Sequence, residues 1–221
     1  MQVGIVAGTG PAGRALAARL AGSGLDVIVG SRSQERAAEV VAEIRDKWPR
    51  HDLSLEGAGN AAAAAAEIVV LATPWEAAVH TVEPLADALA GKVVVSMVNA
   101  LARVGNEMQA LIPPRGSIAA AVQCALPRSF VSGAFHHLPA RALARLDEEL
   151  DADVLICADH PDATDATVLL VESIPDLRAV DAGSLSACAA IEAFTAVLVN
   201  VNIVNRVHSS IRLTGLPRLE K

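Results

Sequence analysis

Three glycines at a fixed spacing near the N-terminus are the first candidate functional residues. Gly8, Gly10 and Gly13 follow an apolar run and open a helix-like segment in the order G-x-G-x-x-G. In that context the first glycine allows a tight turn, the second lets a ligand approach the backbone, and the third lets the helix lie against the strand. Loop N–H groups and the positive helix end favour phosphate oxygens, and a first-turn proline suits a helix start. The pattern predicts a dinucleotide-binding loop formed by Gly8, Thr9, Gly10, Pro11, Ala12 and Gly13.

A second set of residues lies where the next apolar run ends, about 20 residues after the loop. In NAD-binding chains this place usually holds a carboxylate for the ribose hydroxyls, whereas this chain has Ser31 and Arg32, with Arg36 one helical turn later. A hydroxyl and two guanidinium groups suit the ribose phosphate of NADP, which a carboxylate would repel. The alternative is a solvated basic helix start, but cations oppose the helix dipole there and need another partner. The sequence therefore favours NADP over NAD.

Residue types that enzymes use as proton donors are scarce in this chain. It contains no tyrosine, which excludes the Tyr-x-x-x-Lys arrangement of many carbonyl reductases. The remaining acid candidates are His136 and His137, and paired histidines beside a strand end are more often structural than catalytic. Hydride transfer between two planar cofactors would need no side-chain acid, since the protein has only to align the rings and exclude water.

The composition sets limits on the class of protein. A chain of 221 residues that is 52% hydrophobic and 19% charged predicts a compact soluble fold. The net charge of -7, with no basic block, gives no reason to expect nucleic acid or an anionic membrane as a partner. Three cysteines without metal-ligand spacing fit a reducing compartment, and residues 1–7 lack the basic region of a signal peptide. We therefore expect a cytoplasmic protein without a metal site.

Apolar runs of strand length alternate with helix-length segments along the chain. The runs VGIVA, DVIVG, EIVVLA and KVVVS are continuously apolar, which predicts a doubly wound, Rossmann-type parallel sheet covered on both faces. FVSGAFH and DVLICAD are predicted to extend the pattern as a strand pair, and Asn60 is predicted to cap an alanine-rich helix.

The C-terminal part of the chain is predicted to be helical. A long helix is expected from about Leu185 to Val207, and its polar Glu192, Thr195 and Asn200 favour a buried helix over a membrane span. These observations divide the chain into an NADP-binding domain, residues 1–182, and a small helical lobe, residues 183–221.

Several motifs in this order resemble the F420-dependent NADP reductases, which move hydride between NADP(H) and the 8-hydroxy-5-deazaflavin coenzyme F420. The likeness covers nearly the whole chain and rests on GIVAGTGPAGRALAARLA, VIVGSRSQERA, VVLATPWEAA, AFHHLPA and RAVDAGSLS. It implies that the glycine loop, Ser31 and Arg32 hold NADP, with Arg36 where a lysine is usual. It also implies that the lobe closes the deazaflavin side, with Leu213 as a second apolar wall residue. Further residues implied to bind the two cofactors are Thr73, Pro74, Trp75, Met97, His136, Leu138, Pro139, Ala140 and Ile211.

Some interpretations remain open at this level. The segment Ser96–Ala100 reads SMVNA where the family would have a proline-containing variant. Trp75 could pack on the core instead of a ligand, and His136 could be the acid of an NADP-linked imine or keto reductase. A non-catalytic NADP-binding redox sensor is the third alternative. In each case the partners are small molecules, and we expect a homodimer.

Overall fold

The computed structural model describes residues 1–216, so the end of the predicted lobe, residues 217–221, lies outside the described residues. The ten strands are β1 Gln2–Val6, β2 Asp26–Ser31, β3 Leu55–Gly59, β4 Ile68–Leu71, β5 Val93–Ser96, β6 Leu101–Val104, β7 Glu107–Ala110, β8 Phe130–Gly133, β9 Ala152–Ala158 and β10 Leu177–Asp181. The α-helices are α1 Pro11–Gly22, α2 Gln34–Lys47, α3 Asn60–Ala64, α4 Ala78–Val82, α5 Ala86–Leu89, α6 Ile118–Ala125, α7 Ala140–Leu143, α8 Pro161–Glu172 and α9 Cys188–Asn205. Short 3-10 turns occur at Trp75–Ala77, Glu83–Leu85 and Leu185–Ala187.

Eight strands form one sheet in the order β10-β9-β8-β5-β4-β1-β2-β3. Strands β1 to β5 and β8 are parallel. Apolar side chains cover both faces: one cluster joins the sheet to α1, α2, α7 and α8, and the other joins it to α3, α4, α6 and the start of α9. This is the predicted doubly wound Rossmann-type architecture, and it places the carboxyl ends of the parallel strands along one edge.

The alanine-rich helix α3 lies unusually close to the sheet. A Cβ atom on Gly4 would fall 1.8 Å from the carbonyl oxygen of Ala63, so only glycine fits there. The prediction that Asn60 caps this helix is wrong, because the N-cap is Gly59 and no side chain caps the helix. Asn60 Oδ1 instead accepts a hydrogen bond from Ala7 N at 3.0 Å. The side chain thus supports the left-handed turn at Ala7, φ 55°, at the entrance to the glycine loop.

The predicted strand pair β8 and β9 forms, but it is antiparallel, with Gly133 opposite Cys157. The chain stays at the carboxyl edge after β8, where a ring nitrogen of His137 lies 2.9 Å from the backbone oxygen of Asp153. The last residues of β9 pair with the end of β8, Ser132 opposite Ala158, so β9 begins beyond the end of β8 and runs back toward it. The antiparallel hairpin β6–β7 was not predicted.

The last helix, α9, has the length and composition of a membrane-crossing helix, since residues 185–205 have a mean hydropathy of 1.8. Its polar residues are nevertheless used inside the fold. Glu192 accepts hydrogen bonds from Ile118 N at 2.8 Å and Ala119 N at 3.1 Å, and Asn200 bonds the N–H and carbonyl of Met108. These bonds make α9 part of the globular domain. The helix ends at Asn205, before the predicted Val207, because Arg206 adopts a left-handed conformation with φ 56°.

Candidate functional site

The glycine loop joins β1 to α1 at the carboxyl edge of the sheet. Gly8 N donates to Gly30 O at 2.9 Å, and a Cβ on Gly13 would lie 2.7 Å from Gly8 Cα. Gly10 is different, because a Cβ there would meet no atom within 4 Å. Gly10 is the N-cap of α1, Pro11 is its first residue, and no side chain caps the helix. The first and third glycines therefore serve packing, while the second leaves backbone open beside an uncapped helix N-terminus that suits a pyrophosphate.

The predicted ribose-phosphate residues lie at the adjacent strand end. Ser31 ends β2 and is buried, and its Oγ accepts a hydrogen bond from Ser33 N at 3.3 Å. Arg32 is exposed and makes no hydrogen bond or ion pair within residues 1–216. Arg36 is also exposed, but it pairs with Glu39 at 2.9 Å and with Glu43 at 3.3 Å. Arg36 is therefore already paired with carboxylates, whereas Arg32 is available to bind a phosphate.

Buried polar atoms without partners concentrate along the same edge, at the ends of β4, β5 and β8. In the described part of the chain, the buried side-chain nitrogen and oxygen atoms that lack a hydrogen bond belong to Thr73, Ser96, Asn99, His136 and His137. Buried polar groups are normally paired. A group of unpaired ones on three neighbouring strand ends is therefore the arrangement expected where a polar ligand completes the hydrogen bonding.

His136 is the central residue of this group. It is 4% exposed, and neither ring nitrogen has a hydrogen bond of normal geometry within residues 1–216. Burial, and secondarily the neighbouring His137, lower the pKa of His136 to about 3, and the nearby backbone of Ala134 and Ser96 offsets this only in part. Its imidazole is therefore neutral at physiological pH. Its backbone oxygen accepts hydrogen bonds from Asn99 Nδ2 at 2.7 Å and from Thr195 Oγ1 at 3.4 Å.

A cavity of about 630 Å³ opens between α9, β9 and the C-terminal segment. Ile211 lines it together with Leu155, Ile191, Phe194 and Leu213. Ile191 lies one helical turn before Thr195, the α9 residue that contacts His136. The cavity is thus an apolar space next to the polar group at the strand ends.

The C-terminal segment that lines this cavity is fixed by a buried carboxylate. Asp153 is fully buried, and its two oxygens accept from Arg178 Nε at 2.8 Å, Arg178 Nη2 at 2.6 Å and Leu213 N at 2.6 Å. Arg212 adds a contact of 2.7 Å to the same carboxylate. Ile211 and Leu213 are therefore held in place on either side of Arg212.

The other predicted site residues lie at or near the edge with different exposure. Thr73 is buried after β4, Pro74 is exposed, and Trp75 is half-buried against the second core cluster. Met97 and Leu138 belong to the first core cluster, while Pro139 and Ala140 are half-buried at the start of α7.

Sequence reasoning did not identify Ser96 and Asn99 as site residues, nor Asn60 as a support for the loop. The only sequence signal was that Ser96–Ala100 departs from the expected proline-containing pattern. Their roles depend on side-chain direction at strand ends, which periodicity does not reveal.

A parallel doubly wound sheet, an open glycine loop at a helix start and unpaired polar atoms at neighbouring strand ends define a dinucleotide-binding oxidoreductase of the Rossmann type. The family described as NADP oxidoreductase, coenzyme F420-dependent, matches residues 2–100. An F420-dependent NADP reductase from Methanothermobacter thermautotrophicus is 35% identical over 226 residues, which cover 100% of this chain and 97% of the relative. The chain belongs to the F420-dependent NADP reductase family.

Solved structures agree on the fold. A protein from Arthrobacter sp. FB24, provisionally assigned as an F420-dependent NADP reductase, superposes with a TM-score of 0.81 at 22% identity, covering 96% of this chain and 100% of that one. An imine reductase from Streptomyces aurantiacus superposes with a TM-score of 0.62 at 18% identity, covering 93% of this chain and 64% of that one. At these identities the likeness concerns architecture, which many chemistries share.

Proposed function

We propose that this protein transfers hydride between NADP(H) and the deazaflavin coenzyme F420. The observation that carries the proposal is the position of the unpaired polar group, between the open glycine loop and the apolar cavity beside α9. One end of the site suits a phosphate-rich dinucleotide, and the other suits an apolar ring system. Family membership supplies the identity of both ligands.

The dinucleotide half is supported by the backbone and by charge. The open Gly10 and the uncapped start of α1 receive the pyrophosphate. Ser31 and Arg32 hold the ribose phosphate, because a hydroxyl donor and a guanidinium without a partner among the described residues lie where a carboxylate would select NAD. Arg36 joins them only after it leaves Glu39 and Glu43.

Hydride transfer requires that the two rings be aligned and that water be excluded from the two carbons that exchange the hydride. NADPH supplies a hydride to the deazaflavin ring, and a proton from water completes the reduced ring. The neutral, buried His136 shapes the pocket between the two rings and is not in the imidazolium form at neutral pH, since burial lowers its pKa to about 3. This argues against an imine or keto reductase, in which His136 would have to act as the acid.

The apolar cavity is proposed as the deazaflavin side of the site. Ile211 and Leu213 form one wall and Ile191 on α9 forms another. Residues 183–216 thereby act as the C-terminal lobe that closes this side. Met97, Leu138, Pro139 and Ala140 are proposed to back the two rings, with Thr73, Pro74 and Trp75 under the nicotinamide half.

A parallel assay separates the proposed reaction from its alternatives. NADPH is mixed with the protein and with oxidised F420, a cyclic imine or a simple ketone, and the loss of deazaflavin colour or of NADPH absorbance is followed. We expect turnover only with F420. Turnover with the imine or ketone alone would identify the runner-up reductase, and NADPH binding without turnover of any of them would identify a sensor.

We also propose a cytoplasmic homodimer that forms through α9. One face of α9 carries apolar side chains at helical spacing: Phe194 is 41% exposed, Val197 51%, Val201 38% and Val204 79%. An exposed apolar patch of this kind marks an interface. The free cysteines fit a reducing compartment. Val204→Glu should halve the mass in sedimentation equilibrium, whereas the control Leu169→Glu, at an exposed leucine on α8, should not. A native protein that sediments as a monomer would exclude the dimer.

A further inference from the structure

Among the described residues, only one end of the Asn99 side-chain amide has a hydrogen-bond partner. Its Nδ2 donates to the backbone oxygen of His136 at 2.7 Å. Oδ1 carries no hydrogen and cannot donate to a carbonyl oxygen. The bond from Nδ2 therefore fixes the orientation of the amide and points Oδ1 away from the backbone oxygen of His136. Asn99 Oδ1 is buried and has no partner within residues 1–216. Buried acceptors in this condition normally receive a donor from a ligand or an ordered water.

Two hydroxyls without a hydrogen bond lie at the same edge of the sheet. Ser96 is 1% exposed and Thr73 is 9% exposed, and the hydroxyl of each is buried without a hydrogen bond in the described part of the chain. Ser96 is in register with Leu71 on β4 and with Gly133 on β8, so it occupies the middle of three strand ends. An acceptor and two potential donors therefore share one edge of the sheet.

The position along the sheet identifies which part of a dinucleotide reaches this edge. The phosphate loop follows β1 and the ribose-phosphate residues follow β2, on the far side of β1 from β4 and β5. The other nucleotide half of such a ligand therefore extends over β4 and β5. Its nicotinamide carries a primary carboxamide, which offers N–H donors and one carbonyl acceptor.

We propose that Asn99 determines specificity for the nicotinamide carboxamide: its Oδ1 accepts a hydrogen bond from the carboxamide NH₂. The hydroxyls of Ser96 and Thr73, at the same edge of the sheet, supply the donors for the carboxamide oxygen. The bond from Asn99 Nδ2 to the backbone oxygen of His136 connects the carboxamide contact to the segment that leads into Pro139 and Ala140. The inference rests on the proposed function, because it requires NADP to be the bound dinucleotide.

The test compares two oxidised cofactors by isothermal titration calorimetry, without any deazaflavin. NADP carries the carboxamide NH₂, whereas its 3-acetylpyridine analogue has a methyl group in the same place. The native protein should bind NADP about tenfold more tightly than the analogue, the size of effect expected for one hydrogen bond to a buried acceptor. Asn99→Ala should reduce this preference to about twofold or less, mainly by weakening NADP.

Asn200→Ala is the matched control. Asn200 also bonds the backbone, to Met108 N at 2.7 Å and Met108 O at 2.8 Å, but both ends of its amide are used. This variant should lose stability and keep the native preference. If Asn99→Ala does not fold, Asn99→Ser, which also removes the amide oxygen but keeps a polar side chain, provides the same comparison.

Three results would overturn the inference. The first is equal affinity of the native protein for both cofactors, the second is a preference that survives unchanged in Asn99→Ala, and the third is a preference that is lost equally in the control Asn200→Ala. If the native protein binds neither NADP nor NADPH, the proposed function itself fails, so the two failures are distinguishable.

Discussion

Arg36 and Glu43 form an ion pair at 3.3 Å, and the other oxygen of the same carboxylate lies 2.8 Å from Nη1 of Arg14. The hydrogen bond that Arg36 donates to Glu39 is the main cause that raises the pKa of Arg36, and the pair with Glu43 adds to it. Arg36, one of the two cations predicted to bind the ribose phosphate, is thus paired with carboxylates of its own helix. Because Glu39 also pairs with Arg36, the double change Glu39→Gln and Glu43→Gln should release it and tighten NADPH binding by up to about fivefold, since exposed pairs contribute about 1 kcal/mol or less. Fluorescence titration should show no change for NADH, and a weaker NADPH complex would contradict this view.

Arg32 should dominate the choice of cofactor, because it has no partner to leave within residues 1–216. Arg32→Ala should weaken NADPH binding by about ten- to a hundredfold, the equivalent of a lost charge-assisted hydrogen bond of about 1.5–3 kcal/mol. NADH affinity should barely move. Equal losses for both cofactors would show that Arg32 supports the fold of the loop and does not contact the phosphate.

His136→Gln should keep substantial hydride transfer, and the pH profile of the native enzyme should lack a limb near pH 6.5, because burial lowers the pKa of His136 to about 3. The unfolded chain binds a proton on this residue below about pH 6.5, whereas the native state does so only near pH 3. The free energy of unfolding should therefore fall as the pH decreases through that window, and less steeply in His136→Gln. A loss of a hundredfold or more in rate, together with the loss of a pH limb, would instead assign His136 as the acid.

Glu192→Gln should loosen the contact between α9 and α6. The carboxylate accepts from two backbone N–H groups, and glutamine can present only one oxygen to them. We expect a loss of about 1–3 kcal/mol in denaturant unfolding, the cost of a buried donor left unpaired.

The pH dependence gives a second readout at Glu192. Burial raises its pKa to about 7, and the hydrogen bonds from Ile118 and Ala119 offset this only in part. The native state therefore holds a proton that the unfolded state releases above about pH 4.5, so the contribution of Glu192 to stability should decline as the pH rises from 4.5 to 7. The variant should lack this decline, and identical pH slopes would rule out the assignment.

Ala140→Leu tests the close approach of the two rings. Ala140 is half-buried at the start of α7 and packs against the first core cluster. If it also backs a ring, the larger side chain should lower the single-turnover rate by about a hundredfold, as expected for a displacement of about 1 Å, while NADPH affinity stays nearly native. A lower melting temperature with an unchanged rate in the folded fraction would place Ala140 in the core alone.

The fold class and the phosphate loop could be predicted because they depend on local patterns. Continuously apolar runs of strand length predict the parallel sheet, and the spacing of Gly8 and Gly13 follows from how closely α1 must lie on β1. The reversal of β9 could not be predicted, since the runs are equally apolar in either direction and the path after β8 is set by contacts such as His137 to Asp153. The roles of Asn60 and Asn99 were also missed, because each bonds backbone that is distant in sequence, and asparagine at such positions usually indicates only a turn.

The most direct measurement of the proposed reaction is a single turnover with NADPH carrying deuterium at C4 of the nicotinamide. The protein is mixed with this cofactor and oxidised F420, the decay of deazaflavin absorbance is followed, and the reduced deazaflavin is examined by mass spectrometry. Direct transfer predicts that the absorbance decays in one turnover, that deuterium slows the decay when it occupies the transferred position, and that the label appears in the deazaflavin. If the absorbance does not change, or if the product is reduced without deuterium from either labelled face of NADPH, the protein does not pass hydride between these two coenzymes.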